Sequence, residues 1–460
     1  MPLSRRAFIA GLSSGLALSG CTGLPRFTME DGNGDYDYIL TAEPTDIELI
    51  PGTSTPAWTF NQRFPPPVIR ARQHQEIRIL FRNRLAEPTT IHWHGIRILN
   101  AMDGVPYLTQ PPIAPGADFE YRFTPPDAGT FWYHPHVNSL VQLGKGLVGA
   151  LIVDEAEPIG FDADIPLLLK NWHIREDGSF APFTSPRAAF RMGTPGAWES
   201  VNGEQNPVHN VAPGALVRLR FLNVDNTVMY KLAIPDYPAW IIAIDGNPIA
   251  QPIPLTEHEM GPGMRLDVAL IAPEKPGQNV AIKNAKGRLL FDLMSLQTTA
   301  AGLGATRHIP SLPVNPIPTP DLANAEKLNF VFEWEGAITP TDPEGKPKHA
   351  FWTINRRAWE GMSADNIPEP VATLTLGKTY IFRLRNVTPH SHPIHLHGFT
   401  WTVLRSNQKT IEPYHTDTVL LEKNELVEVA FVADNPGRWM YHCHVIEHMK
   451  TGLMGYITVR

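Results

Sequence analysis

The sequence predicts an all-β protein of three β-sandwich domains, and three observations carry that reading: abundant turn formers, alternating apolar strands, and one strand pattern written three times. Proline (45) and glycine (35) are frequent among the 460 residues, which favours many short strands joined by turns over long helices. IRILFRNRLAEPTTIHWHG from Ile77, VRLRFLNVDNTVMYKLAI from Val217 and YIFRLRNVTPHSHPIHLHG from Tyr380 each open with period-two alternation and reach an asparagine: Asn83, Asn223 or Asn386.

Repeats of this length imply a duplicated sandwich rather than a short solenoid unit. The chain is long enough for three domains, each with its own core. Composition places the first linker at Asp154 to Pro166 (DEAEPIGFDADIP) and a Pro-rich second one at Ile309 to Asp321 (IPSLPVNPIPTPD). The domains are then expected over 31–155, 165–310 and 322–460. A formal charge of -7 with 18% charged residues gives no basic footprint, so nucleic acid is not an expected partner.

Residues 1–30 read as an address rather than as fold. Arg5 and Arg6 precede an apolar run from Ala7 to Gly20 that is too short to span a bilayer. This resembles a twin-arginine signal peptide, which implies the twin-arginine export machinery as a partner and a periplasmic destination. Leu18-Ser19-Gly20-Cys21 also resembles a lipobox, so the mature protein is expected either free or tethered to a membrane through Cys21.

The chemistry lies in paired histidines. Nine and eleven residues beyond Asn83 stand His92 and His94, the same steps from Asn386 reach His395 and His397, and those from Asn223 reach Leu232 and Ile234. A second match aligns GTFWYHPHV from Gly129 with GRWMYHCHV from Gly437, adding His134, His136, His442 and His444. In a strand, residues i and i+2 face one side, so each His-x-His aims two imidazoles the same way. Eight converging imidazoles exceed the four ligands of one tetrahedral zinc, and imidazole suits copper as well.

Cys443, between His442 and His444, points to the opposite face and must serve a different ion. One thiolate with two imidazoles is the blue-copper donor set, and His392 and His448 are its natural partners.

On these residues the chain resembles the multicopper oxidases, the three-cupredoxin-domain kind that includes laccases. The motifs are His92-Trp93-His94-Gly95, His134-Pro135-His136, His392-Pro393-Ile394-His395-Leu396-His397-Gly398 and HCHVIEHMKTGLM from His442. The resemblance implies three cupredoxin-like Greek-key sandwiches and four copper ions. His392, Cys443 and His448 would take the type 1 copper, and His92 and His395 the type 2 copper. His94, His134, His136, His397, His442 and His444 would take the type 3 pair. Asp103 matches an acidic position that supplies protons near the type 2 copper, whereas Met449 stands where many bacterial relatives carry a second acid, leaving Glu447 as a weak substitute. The axial position of the type 1 site falls on Leu453, with Met454 one step out of register.

The implied activity is one-electron oxidation of phenols or aromatic amines coupled to reduction of dioxygen to water, with Cys443 and His448 on the electron path. The last motif looks most like the group associated with manganese oxidation, so a metallo-oxidase acting on Mn(II), or less readily on Cu(I), is the alternative. A copper-storage protein or a scaffold without catalysis are readings from other classes. The eight histidines outside the motifs are expected to be structural or at the surface.

Overall fold

The computed structural model describes residues 35–299, 308–334, 351–359 and 361–460. The Arg5-Arg6 leader, Cys21 and His349 lie outside the described residues. Strands dominate, and they fall into three consecutive sets that each build two facing sheets.

In the first set, Tyr38–Ile50 lies between Thr53–Phe60 and Ile77–Asn83, with Asp118–Phe123 at the edge. The second sheet of that set runs Ile69–Arg72, Gly149–Asp154, Gly129–His134, His92–His94. In the middle set, Leu216–Asn223 and Arg265–Ile271 form the centre of a six-stranded sheet, facing a five-stranded one that holds Tyr230–Ala233. The last set repeats this plan, with Thr379–Asn386 and Leu426–Val432 central in one sheet and Gly437–Cys443 beside His392–Leu396 in the other. Parallel pairing of Tyr38–Ile50 with Ile77–Asn83 recurs between Ala163–Trp172 and Leu216–Asn223, and between Glu326–Trp334 and Thr379–Asn386. Strand Ala163–Trp172 thus begins inside the stretch expected as the first linker, because Ala163 to Pro166 find backbone partners at Val217 to Arg220.

The repeated asparagine has a physical reason. Each ends its strand and is buried, and each side-chain oxygen accepts the N–H two residues on, at Leu85, Asp225 and Thr388. The amide nitrogen donates both within the turn and across it: Asn83 to Glu87 and Ile113, Asn223 to Val228 and Met260, Asn386 to His390 and Glu422. One side chain therefore satisfies the buried backbone where the chain leaves one sheet for the other, which sets the distance from asparagine to the next strand.

That distance delivers the histidines. His92 lies directly opposite His134, and in the third set His395 lies opposite His442, the same register written twice. In the middle set Leu232 and Ile234 occupy the corresponding positions and are buried in an apolar core.

Asn223→Ala is expected to cost about 3 kcal/mol, since two carbonyls and one N–H lose their buried partner. Urea unfolding of the copper-free protein measures it, and the variant should keep its full copper content.

Candidate metal centre

Eight imidazoles from the first and third sets converge across their interface, all buried. His92 stacks on His397 with centroids 3.8 Å apart, and His94 stacks on His395 at 3.9 Å. Their nitrogens form three groups whose ligand atoms lie within 4.8 Å of one another: His92, His94 and His395; His94, His134 and His444; His136, His397 and His442. A fourth group, His392, Cys443 and His448, stands on the other face of the Gly437–Cys443 strand. Alternation along one strand separates Cys443 from His442, as the sequence led one to expect.

In six of the eight rings, hydrogen bonds to the outer nitrogens determine which nitrogen turns inward; both nitrogens of His136 and His444 are without a partner. Nδ1 of His92, His134, His395 and His442 donates to the carbonyls of Asp103, Pro135, Asp417 and Cys443 at 2.8, 3.0, 2.9 and 2.9 Å. Nδ1 of His397 donates to the Asp103 carboxylate at 3.1 Å, and Nε2 of His94 donates to Asp417 Oδ1 at 3.2 Å. The inward nitrogens are then bare lone pairs: Nε2 of His92, His134 and His395 and Nδ1 of His94 have no protein partner. Nε2 of His397 and of His442, both left without a proton by these bonds, face each other at 3.1 Å.

The thiol group repeats the pattern. His448 Nε2 donates to the Arg191 carbonyl at 2.7 Å. His392 Nε2 donates to Thr388 Oγ1 at 2.9 Å, that hydroxyl giving its own proton to the His390 carbonyl. The two Nδ1 atoms are left 3.1 Å apart and 3.6 and 3.5 Å from Cys443 Sγ. Facing lone pairs in a buried site repel unless a cation sits between them, and this donor set suits copper. Burial first, and neighbouring imidazoles after it, hold these rings neutral, pushing His442 and His448 down to about 3, and burial raises the Cys443 thiol, whose deprotonation a bound metal would favour.

Two further groups, neither marked by a motif, complete the site. Asp417 binds His94 and His395, and Arg265 from the middle set grips its carboxylate with two bonds of 2.9 and 2.6 Å. Burial opposes the charge on Asp417, yet Arg265 and His395 hold its carboxylate below the usual range. The Arg265 guanidinium also donates to the carbonyls of Thr130, Gly263 and Asp245. All five of its N–H groups are thereby used. Gly95, the last residue of His92-Trp93-His94-Gly95, has φ +89°, and a Cβ there would strike this guanidinium.

Glu447 faces away from the imidazoles. Thr184 Oγ1 and Thr194 Oγ1 donate to it at 2.6 and 2.8 Å, and the Thr194 N–H donates as well. It ties a loop of the middle set over His448, where Arg191 closes the ring edge. Leu453 is buried with Cys443 in one apolar cluster, while Met454 joins Met440 and Met449 in another. The Leu453 backbone bonds both Cys443 and His448.

Residues 41–158 and 339–460 match models of the multicopper oxidase family. A crystal structure of a multicopper oxidase from Pseudomonas thermotolerans is 47% identical, with a TM-score of 0.84 over 92% of this chain and 98% of that one. The chain belongs to the multicopper oxidase family. Multicopper oxidase MmcO of Mycobacterium tuberculosis is 28% identical over 98% of this chain and 95% of its own length. Laccase-1 of Botryotinia fuckeliana is 26% identical over 90% of this chain and 80% of its own. As a multicopper oxidase the protein is an oxidoreductase that uses dioxygen and a reducing substrate, and its sandwiches are cupredoxin-like.

Arg265→Met is expected to destabilise the copper-free oxidase by about 3–5 kcal/mol, because Asp417 is left charged, buried and unpaired. Denaturant unfolding reads this, and Arg265→Lys should recover part of the loss without the two-bond grip.

Proposed function

We propose that this multicopper oxidase is laccase-like. His392, Cys443 and His448 would hold a type 1 copper that accepts single electrons from phenols or aromatic amines, and the imidazole cluster would hold three coppers that supply the reduction of dioxygen to water. Copper, four ions in all, supplies the electron storage and the oxygen chemistry; the chain holds the ions apart, keeps water out and connects them. His92 and His395 take the type 2 ion. The type 3 pair would divide into His94, His134 and His444 for one ion and His136, His397 and His442 for the other.

The observation that carries this reading is the placing of Cys443. Its sulfur faces His392 and His448 while its covalent neighbours His442 and His444 belong to the imidazole cluster. A strand with one residue on each side of the sheet is thus a continuous path between two redox sites, which a storage protein has no need of. Asp103 is the proton-relay residue in this reading. Its buried carboxylate accepts from His397 at 3.1 Å and lies 3.2 Å from His92.

Aromatic donors are favoured over Mn(II) by the two cations near His390, which among the described residues outnumber the one carboxylate there, Glu422, held by Ser391 at 2.8 Å. Arg191 and Lys423 lie close enough to His390 to press its pKa down, after burial. Cationic groups repel a metal ion and attract a phenolate. The Arg5-Arg6 leader and Cys21 support twin-arginine export to the periplasm, with Cys21 as a point of lipid attachment.

Oxygen uptake by the copper-loaded protein, with a phenol, Mn(II) and Cu(I) offered side by side, tests the function. Uptake is expected to be fastest with the phenol; fastest uptake with Mn(II) makes it a metallo-oxidase, and four bound coppers with no uptake from any donor sink the oxidase reading. Leu453→Met supplies a thioether at the axial position and is expected to lower the type 1 midpoint potential, measured by spectroelectrochemical titration. An unchanged or raised potential counts against Leu453 as the axial residue.

A further inference from the structure

Both ring edges that could meet a donor directly are closed. His392 and His448 are buried, and their outer nitrogens are occupied by Thr388 and by the Arg191 carbonyl. An electron must therefore enter the type 1 set through something other than an exposed imidazole.

Trp352 lies against both rings. Its centroid is 4.4 Å from that of His448 and 4.9 Å from that of His392, and the side chain is fully buried. The indole N–H donates to the Ala189 carbonyl at 2.9 Å, so the ring is held by the same loop that covers His448. Directly across the antiparallel pair stands Trp334, stacked on Trp352 at 6.2 Å with only 24° between the planes. Trp334 is half-buried, and His390 touches both indoles at 6.1 Å. The aromatic surface is thus continuous from the type 1 imidazoles to the half-buried Trp334, whose neighbour His390 lies near the cations Arg191 and Lys423.

We propose that Trp334 is the donor platform and Trp352 the bridge through which this oxidase receives electrons. The inference rests on the type 1 reading of His392, Cys443 and His448. A phenol stacks on Trp334, an arrangement that aromatic pairs favour. It loses one electron, and its hydroxyl proton goes to solvent. The electron would pass through the paired indoles to the copper(II) that His392, Cys443 and His448 would hold, which would become copper(I). No indole is oxidised along the way, so the platform needs no further oxidant. Each aromatic ring shortens the through-space gap that the electron crosses, and this is why a stacked pair outperforms aliphatic packing.

The test uses the copper-loaded full chain without dioxygen. Stopped-flow bleaching of the thiolate-to-copper absorption by 2,6-dimethoxyphenol is expected to slow about tenfold in Trp334→Leu. The type 1 spectrum and midpoint potential should stay as in the parent, because Trp334 touches neither ligand ring. Trp334→Phe should restore most of the rate. In copper-free protein, saturation-transfer NMR with benzoate should show contact that Trp334→Leu weakens.

Bleaching of Trp334→Leu at the parent rate overturns the proposal, as does a slowing that a shifted potential accounts for. A copper-loaded parent protein that shows no thiolate-to-copper absorption band overturns the type 1 reading itself, and the relay with it. A parent that bleaches alongside an equally fast Trp334→Leu removes the relay alone.

Discussion

One guanidinium ties the three sandwiches to the imidazole cluster. Arg265 is carried by the middle set, yet it bonds the Thr130 carbonyl of the first set and the Asp417 carboxylate of the third, and spends its remaining donors on its own set. Asp417 in turn orients His94 and His395, one ring from each side of the interface. A buried cation is tolerable because every N–H has a partner and a carboxylate balances the charge. Geometry at the metal centre therefore depends on a set that contributes no imidazole to it.

The middle set acts a second time at the thiol group. Glu447 anchors the loop that brings Arg191 over His448 and Ala189 to Trp352. What would otherwise be an open ring edge becomes an insulated one. With Leu232 and Ile234 at the positions that carry histidines elsewhere, the middle repeat has an apolar core, and its loops position ligands held by the other two.

Converging lone pairs explain why so many backbone carbonyls appear around the rings. A buried imidazole can turn either nitrogen inward, and only an acceptor on the outer edge decides which. Asp103, Pro135, Asp417, Cys443 and Arg191 each provide that acceptor through the main chain. Since a carbonyl belongs to any residue type, this layer leaves no trace in side-chain identity.

That contrast marks the limit of what was legible. The sequence by itself determined the all-β class, the threefold repeat, the four His-x-His pairs and the opposite facing of Cys443, because strand alternation is a local rule that acts at separations of one or two residues. Asn83, Asn223 and Asn386 were visible as markers, though their bonds were not. Only the tertiary structure decided that Arg265 meets Asp417, that Glu447 holds a distant loop, and that Trp334 stacks on Trp352. Those partners are brought together by sheet packing and inter-sandwich contact, and nothing in the neighbouring residues of any one of them encodes the other.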